Sequence, residues 1–254
     1  MHIRTIASYT ALEALRTRLP LTALLVLLLA LLASLFVREL AVSESARFQL
    51  TLYSALARAG AVFLVAVHVL YSMSREFSDK GLDAVLALDV GRSHYILGKL
   101  GGFLIAAGLV AVILSLPVSA MAEPAAAAAW SLSLLMELAL VATLALFCSL
   151  TFSQLLPASA FVAGFYLVCR SIDAMRLMAA YPVGGGPDGA QPNVRGLVEA
   201  LAYLLPALDR WTRAAWLVDA PPPLAELGLI AIQSAVYIFL LVAAALFDFQ
   251  RRSF

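Results

Sequence analysis

The chain has 254 residues, 63% hydrophobic and 13% charged, with a mean hydropathy of +0.95. A water-soluble domain of this size carries about 25% charged residues, so a surface covered by water alone is excluded and a bilayer must solvate much of the chain. The formal net charge of +1 comes without any basic run, which excludes a nucleic-acid partner. The expected fold class is an all-α integral membrane protein, a single transmembrane domain over residues 1–254.

Residues 1–20 hold a weakly amphipathic, helix-compatible segment that turns at Pro20. It is expected to lie on the cytoplasmic membrane surface. The apolar run that follows is long and has no cleavage-site pattern after it, so it reads as a retained span. Six runs are long enough to cross a hydrocarbon core of about 30 Å. They are 21–37, 53–73, 97–116, 130–152, 157–175 and 224–247, with the third expected to end at Pro117.

The connector 74–96 is charged in its first half, with Arg75, Glu76, Asp79, Lys80 and Asp83. Leu82, Val85 and Leu86 then follow the spacing of one helix face, and Asp89 interrupts it. Gly91 permits a turn, and Ser93 is placed to cap the third span. The pattern predicts a short amphipathic helix joined to spans two and three. Lys99 is expected to snorkel toward headgroups.

The segment 176–223 opens on Gly184, Gly185 and Gly186. The stretch 196–205 that follows is apolar but too short to span, and Pro206 breaks it. It reads as a re-entrant or interfacial helix. Trp211 and Trp216 suit the headgroup level, and Pro221 to Pro223 enforce an extended break before the last span.

Lysine and arginine set the orientation. Nine fall in the N-terminal segment, the stretch 75–99 and the C-terminal tail, while the intervening loops hold Arg38, Arg47, Arg176, Arg195, Arg210 and Arg213. Both termini are therefore expected in the cytoplasm. The expected location is a cell membrane, with a bacterial inner membrane as the setting.

Ionisable residues inside spans are costly and are functional candidates by default. They are Arg58 and His68 in span two, Glu137 in span four, and Arg170 and Asp173 in span five. All but His68 fall in the outer half. They read either as a polar exit path or as structural pairs, Arg58 with Glu137 and Arg170 with Asp173. His68 reads as a hydrogen-bonding group in helix packing. Cys148 and Cys169 sit in apolar stretches and read as buried helix residues. No arrangement of nucleophile and base, and no metal-ligand spacing, stands out. Catalytic and metal residues are thus expected to be absent.

The connector resembles the cytoplasmic loop of ABC-2-type transporter permeases. The matching positions are Arg75-Glu76, Gly81-Leu82, Leu86-Ala87-Leu88, Arg92-Ser93 and Leu97-Gly98-Lys99-Leu100. Leu82 stands where a Thr or Ser is usual, and Asp89 where Pro is usual. The likeness extends along the chain through the N-terminal surface helix, six spans, the broken segment before the last span and the short basic tail. It implies a permease, an exporter, that moves substrate while a separate ATPase subunit holds ATP and Mg. It implies no cofactor bound to this chain, and a second permease copy or a sister subunit besides the ATPase and the surrounding lipids. The ATPase-coupling residues it implies are Arg75, Glu76, Asp79, Gly81, Leu82, Asp83, Leu86, Asp89, Gly91 and Arg92. The chain agrees by omission: a P-loop ending at Gly98-Lys99 needs Gly at 93 and Ser or Thr at 100, where Ser93 and Leu100 stand. Two alternatives are a haem-export permease of cytochrome c maturation and a non-transporting membrane scaffold.

Overall fold

A peptide group inside a bilayer has no water to bond, so an apolar run that crosses one must satisfy its backbone internally. The Leu-, Ala- and Val-rich runs do so as helices. The computed structural model describes residues 2–40, 44–78, 91–152, 154–180 and 192–251, and among these no strand occurs. In chain order the helices are α1 (His2–Arg16), α2 (Leu19–Leu40), α3 (Ser45–Ser78), α4 (Arg92–Met121) and α5 (Pro124–Thr151). They continue with α6 (Leu155–Ala180), α7 (Pro192–Leu204), α8 (Ala215–Val218) and α9 (Leu224–Arg251), and a 3₁₀ turn, Leu208–Arg210, lies between α7 and α8. Six of them, α2 to α6 and α9, are long and apolar enough to cross a membrane. The chain is a multi-pass membrane protein.

Helix ends differ from the sequence expectation for local reasons. The 34 residues of α3 make it about 51 Å long at 1.5 Å per residue, so it outruns the hydrocarbon core at both ends. Pro117 does not end α4, which runs on to Met121. The missing N–H removes one bond, but buried Val118 holds the last turn in place and its carbonyl accepts from Ala122 N at 2.9 Å. Pro124 opens α5 six residues before the expected start at 130, because a proline in the first turn loses nothing. Gly91 occupies the N-cap of α4 with extended backbone and no side-chain cap bond, so Ser93 lies inside the helix and does not cap it. The chain breaks between α1 and α2 at Thr17 and Arg18, just before Pro20, with Arg18 in the left-handed region at φ 64°.

The central helix is α5, which packs on α3, α4, α6 and α9. Seventy-two per cent of its most apolar window is buried, against 17% for α2 and for α9, which leave most of their apolar surface outward. Helix α1 lies against α4, where three glycines replace side chains. A Cβ on Gly98 would sit 2.7 Å from Ile6 Cβ, and one on Gly102 would sit 2.4 Å from Thr10 Cβ and 2.9 Å from the Ala7 carbonyl oxygen. Small residues of this kind let helix backbones approach within a membrane.

Arg92 at the start of α4 donates to the carbonyls of Phe249 and Gln250, each at 3.3 Å, and Tyr95 stacks on Phe249 with ring centroids 6.1 Å apart. A cation on the last carbonyls of a helix is favourable for both hydrogen bonding and the helix dipole. Helix α1, the two helix ends that flank 79–90, and the end of α9 therefore share one end of the bundle, here the basal end. The segment 208–218 lies at the other, distal end.

The glycine contacts make a direct prediction. Gly102→Ala drives a methyl into Thr10 and a fixed carbonyl, and overpacking of this kind costs about 1–3 kcal/mol. The expected result is a lower melting temperature and faster proteolysis within 2–18. Gly108→Ala is the matched control, because its nearest neighbour is Leu135 Cδ1 at 3.8 Å, and it should leave both measurements unchanged.

Candidate functional site

Two buried polar clusters lie at opposite ends of the bundle. At the basal end the ammonium of Lys99 on α4 lies 2.5 Å from Glu76 Oε2 on α3 and 3.9 Å from Glu13 Oε2 on α1. Ser72 Oγ donates to Glu13 Oε1 at 3.2 Å. Lys99 is buried and does not snorkel as expected. The close approach of α1 across Gly98 and Gly102 covers it, and two carboxylates compensate its charge. The cluster pins α1, α3 and α4 to one another beside the two ends of the connector.

Of the coupling residues read from the sequence, Arg75 is exposed at the basal end and Glu76 turns inward to Lys99. Gly91 caps α4 and Arg92 ties it to α9. Asp79, Lys80, Gly81, Leu82, Asp83, Val85, Leu86 and Asp89 lie outside the described residues.

At the distal end the Glu137 side chain on α5 is fully buried. Its Oε1 accepts from Tyr166 Oη on α6 at 2.8 Å, and its Oε2 accepts from Thr212 Oγ1 at 2.6 Å. Arg170 Nη1 lies 3.8 Å from Oε1. The same Arg170 nitrogen donates to the carbonyls of Leu208 and Trp211, the latter at 2.8 Å, and Arg58 Nη1 donates to the Thr212 carbonyl at 3.2 Å. Thr212 N–H donates to Ser133 Oγ at 2.9 Å, and Trp211 Nε1 donates to Gln233 Oε1 at 3.2 Å. The turn 208–213 is therefore plugged into the bundle between α3, α5, α6 and α9.

This corrects the pairing read from the sequence. Arg170 comes within 3.8 Å of Glu137, where Arg58 also acts on the carboxylate electrostatically, and Asp173 pairs with Arg176 at 3.7 Å, not with Arg170. The reason lies in the inserted turn. Two guanidinium groups face one carboxylate, and three backbone carbonyls of the turn supply the further acceptors. Thr212 sits at φ 49°, a region that a β-branched residue rarely occupies. The bonds to its N–H, carbonyl and hydroxyl hold it there.

Trp211 and Trp216 are buried, not displayed at headgroup level. They pack with Leu140, Cys169, Leu208 and Ile230. Both cysteines are free and buried, as expected. The short helix expected over 196–205 is α7, packed on α6 with Leu197, Tyr203 and Leu204 exposed. His68 is half-buried and edge-on to Phe103, with centroids 6.1 Å apart, away from the distal cluster. Among the described residues no group of three or more His, Cys, Asp or Glu side chains is arranged to hold a metal.

Sequence reasoning missed Glu13, Ser133, Tyr166, Thr212 and Gln233. Only Glu13 carries a local signal, as the sole acid among residues 2–18. The others are ordinary polar residues whose partners come from distant parts of the chain. Neither a protein-family model nor a curated protein sequence matches this chain.

Removing one partner of a buried charge pair costs about 3–5 kcal/mol, because the other charge is left uncompensated. Glu137→Ala is expected to lower stability by about that amount and to expose 204–223 to protease. Glu137→Gln keeps an acceptor for Tyr166 or Thr212 and should cost less. Denaturant unfolding with limited proteolysis measures both.

Asp209 lies outside the spans, and both its carboxyl oxygens are buried without a hydrogen-bond donor. Burial first, and then the facing Asp173 carboxyl, push it up to about 6 from the ordinary 3.8, against the opposing pull of Arg210. A folded value above the unfolded one contributes stability that is fully present at low pH and is lost as pH rises through the folded value. The docked turn is therefore expected to loosen between about pH 4 and pH 7. Hydrogen exchange at 208–213 across that range reads the change, and Asp209→Asn should flatten the profile.

Proposed function

We propose that this chain is the membrane-spanning permease subunit of an ABC-2-type transporter, an exporter driven by a separate ATPase chain that holds ATP and Mg. The observation that carries the reading is the setting of the 79–90 connector. Its two ends lead into α3 and α4 beside the Lys99–Glu76–Glu13 cluster. A soluble partner pressing on the connector would load α1, α3 and α4 together. The order of elements is consistent with the same reading: a short N-terminal helix, two spans, a charged connector, three spans, a broken and inserted segment, and a last span.

In this reading the basal end faces the cytoplasm of a bacterial cell, in keeping with Arg4, Arg16, Arg75, Arg92 and Arg251 on the elements gathered there. The permease works with a second copy of itself or a sister subunit. ATP-driven closure of the partner moves α3 and α4 at the basal end. At the distal end Arg58 on α3 holds the inserted turn, so the same movement reaches the far side of the membrane. Substrate passes as the two permease halves alternate between inward and outward openings.

Purification of the tagged chain from its native membranes tests this. The expected result is a co-purifying P-loop ATPase whose ATP hydrolysis the permease alters. Gly81→Pro should abolish that effect or the association while leaving the melting temperature of the permease unchanged. A wild-type chain that brings down no such ATPase, or a Gly81→Pro chain that engages it as well as wild type, overturns the reading.

A further inference from the structure

A small cavity of about 180 Å³ opens between α1, the start of α2 and the basal part of α3. It is too large for a single water and of a size for a small polar headgroup. Its floor carries a carboxylate that is only loosely held. Lys99 is held by Glu76 at 2.5 Å, whereas its 3.9 Å approach to Glu13 is beyond hydrogen-bond range. Two carboxylates thus share one ammonium, and the excess negative charge rests on Glu13, whose side chain is 38% exposed and lines the cavity.

Three of the four hydroxyl groups around it sharpen the requirement. Ser72 gives its hydrogen to Glu13 at 3.2 Å, Thr17 to the Ala14 carbonyl at 3.1 Å and Thr22 to the Leu19 carbonyl at 2.9 Å. All three line the cavity, and with their hydrogens committed they offer it lone pairs only. Glu13 and these lone pairs form an acceptor patch on the α1 side that suits a cation donating several hydrogen bonds. A primary ammonium has three donors and a quaternary ammonium has none. The guanidinium of Arg75, the imidazole of His68 and the hydroxyl of Tyr71 are on the same lining and suit a phosphate beside the amine. Leu64 and Val67 complete the wall. Above them Val67 and Phe63 turn outward on α3, an apolar surface along which acyl chains can lie. Thr22 stands in the first turn of α2, which sets the cavity at the basal edge of the hydrocarbon core, where headgroups reside.

The geometry points to a binding site for a zwitterionic phospholipid with a primary amine, a phosphatidylethanolamine of the basal leaflet, whose ammonium bonds Glu13 and whose phosphate faces Arg75 and His68. The site belongs to the membrane-spanning fold and does not depend on an ATPase partner. Occupied, it fills the angle between α1 and α3 and stiffens the basal cluster.

Native mass spectrometry of the full chain tests this, with titration by phosphatidylethanolamine, phosphatidylcholine and phosphatidylglycerol of the same acyl chains. Phosphatidylethanolamine is expected to bind about tenfold more tightly than the other two. Glu13→Gln, which retains an acceptor for Ser72, should remove that preference. Thr22→Phe fills the cavity from a partly exposed position without touching a charge, and should abolish binding with an unchanged melting temperature. Soluble phosphoethanolamine should not compete at equal concentration. The assignment is overturned if the three lipids bind alike, if Thr22→Phe retains the preference, or if the soluble headgroup competes as well as the lipid. Should Glu13→Gln fail to fold, the Thr22→Phe result decides.

Discussion

A carboxylate cut off from water must be neutralised where it stands, and the distal half of this protein is organised around that demand. Glu137 stands on the central helix, fully enclosed. Tyr166, Thr212 and Arg170 answer it from α6 and from the turn 208–213. The arginines in turn need more acceptors than one carboxylate supplies. The carbonyls of Leu208, Trp211 and Thr212 provide them. An irregular backbone is tolerated at membrane depth only where protein satisfies it. Here each side meets the other's need: the turn gives the half-buried arginines acceptors, and the arginines satisfy carbonyls of the turn.

The basal cluster obeys the same rule with opposite sign. One buried ammonium, Lys99, faces two carboxylates, and the surplus falls on Glu13 at the edge of a cavity. The distal cluster has a surplus of positive charge, which backbone carbonyls absorb. The basal one has a surplus of negative charge, which opens toward the membrane surface.

Helix α3 joins the two. Glu76 and Arg58 stand on it 18 residues apart, about 27 Å along a straight helix. Any rotation of α3 strains both clusters together. Helix α5 is enclosed by its neighbours. Helices α2 and α9, mostly outward-facing, are free to meet lipid or another chain.

Much of this architecture was legible in the residues. The six spans follow from unbroken apolar length, because a bilayer core of fixed thickness leaves few other solutions. The short helix before Pro206 and the N-terminal helix before Pro20 follow from proline positions. The candidate charges Arg58, Glu137, Arg170 and Asp173 follow from their cost in an apolar run. Helix ends were less legible, since Pro117 and Pro124 each act through what packs around them. Pairing was not legible at all. Depth along a span suggested Arg58 with Glu137, but depth says nothing about which faces meet or what inserts between them. Lys99 looked like an interfacial anchor because its partner Glu76 stands on another span and Glu13, which covers it, lies 86 positions away on a helix brought close by glycines. The sequence by itself determined that this chain has six helices long and apolar enough to cross a membrane and which of its charges would be costly there. Only the tertiary structure decided which groups neutralise them, because in a low-dielectric interior that choice depends on contacts of a few ångströms between segments the chain order keeps apart.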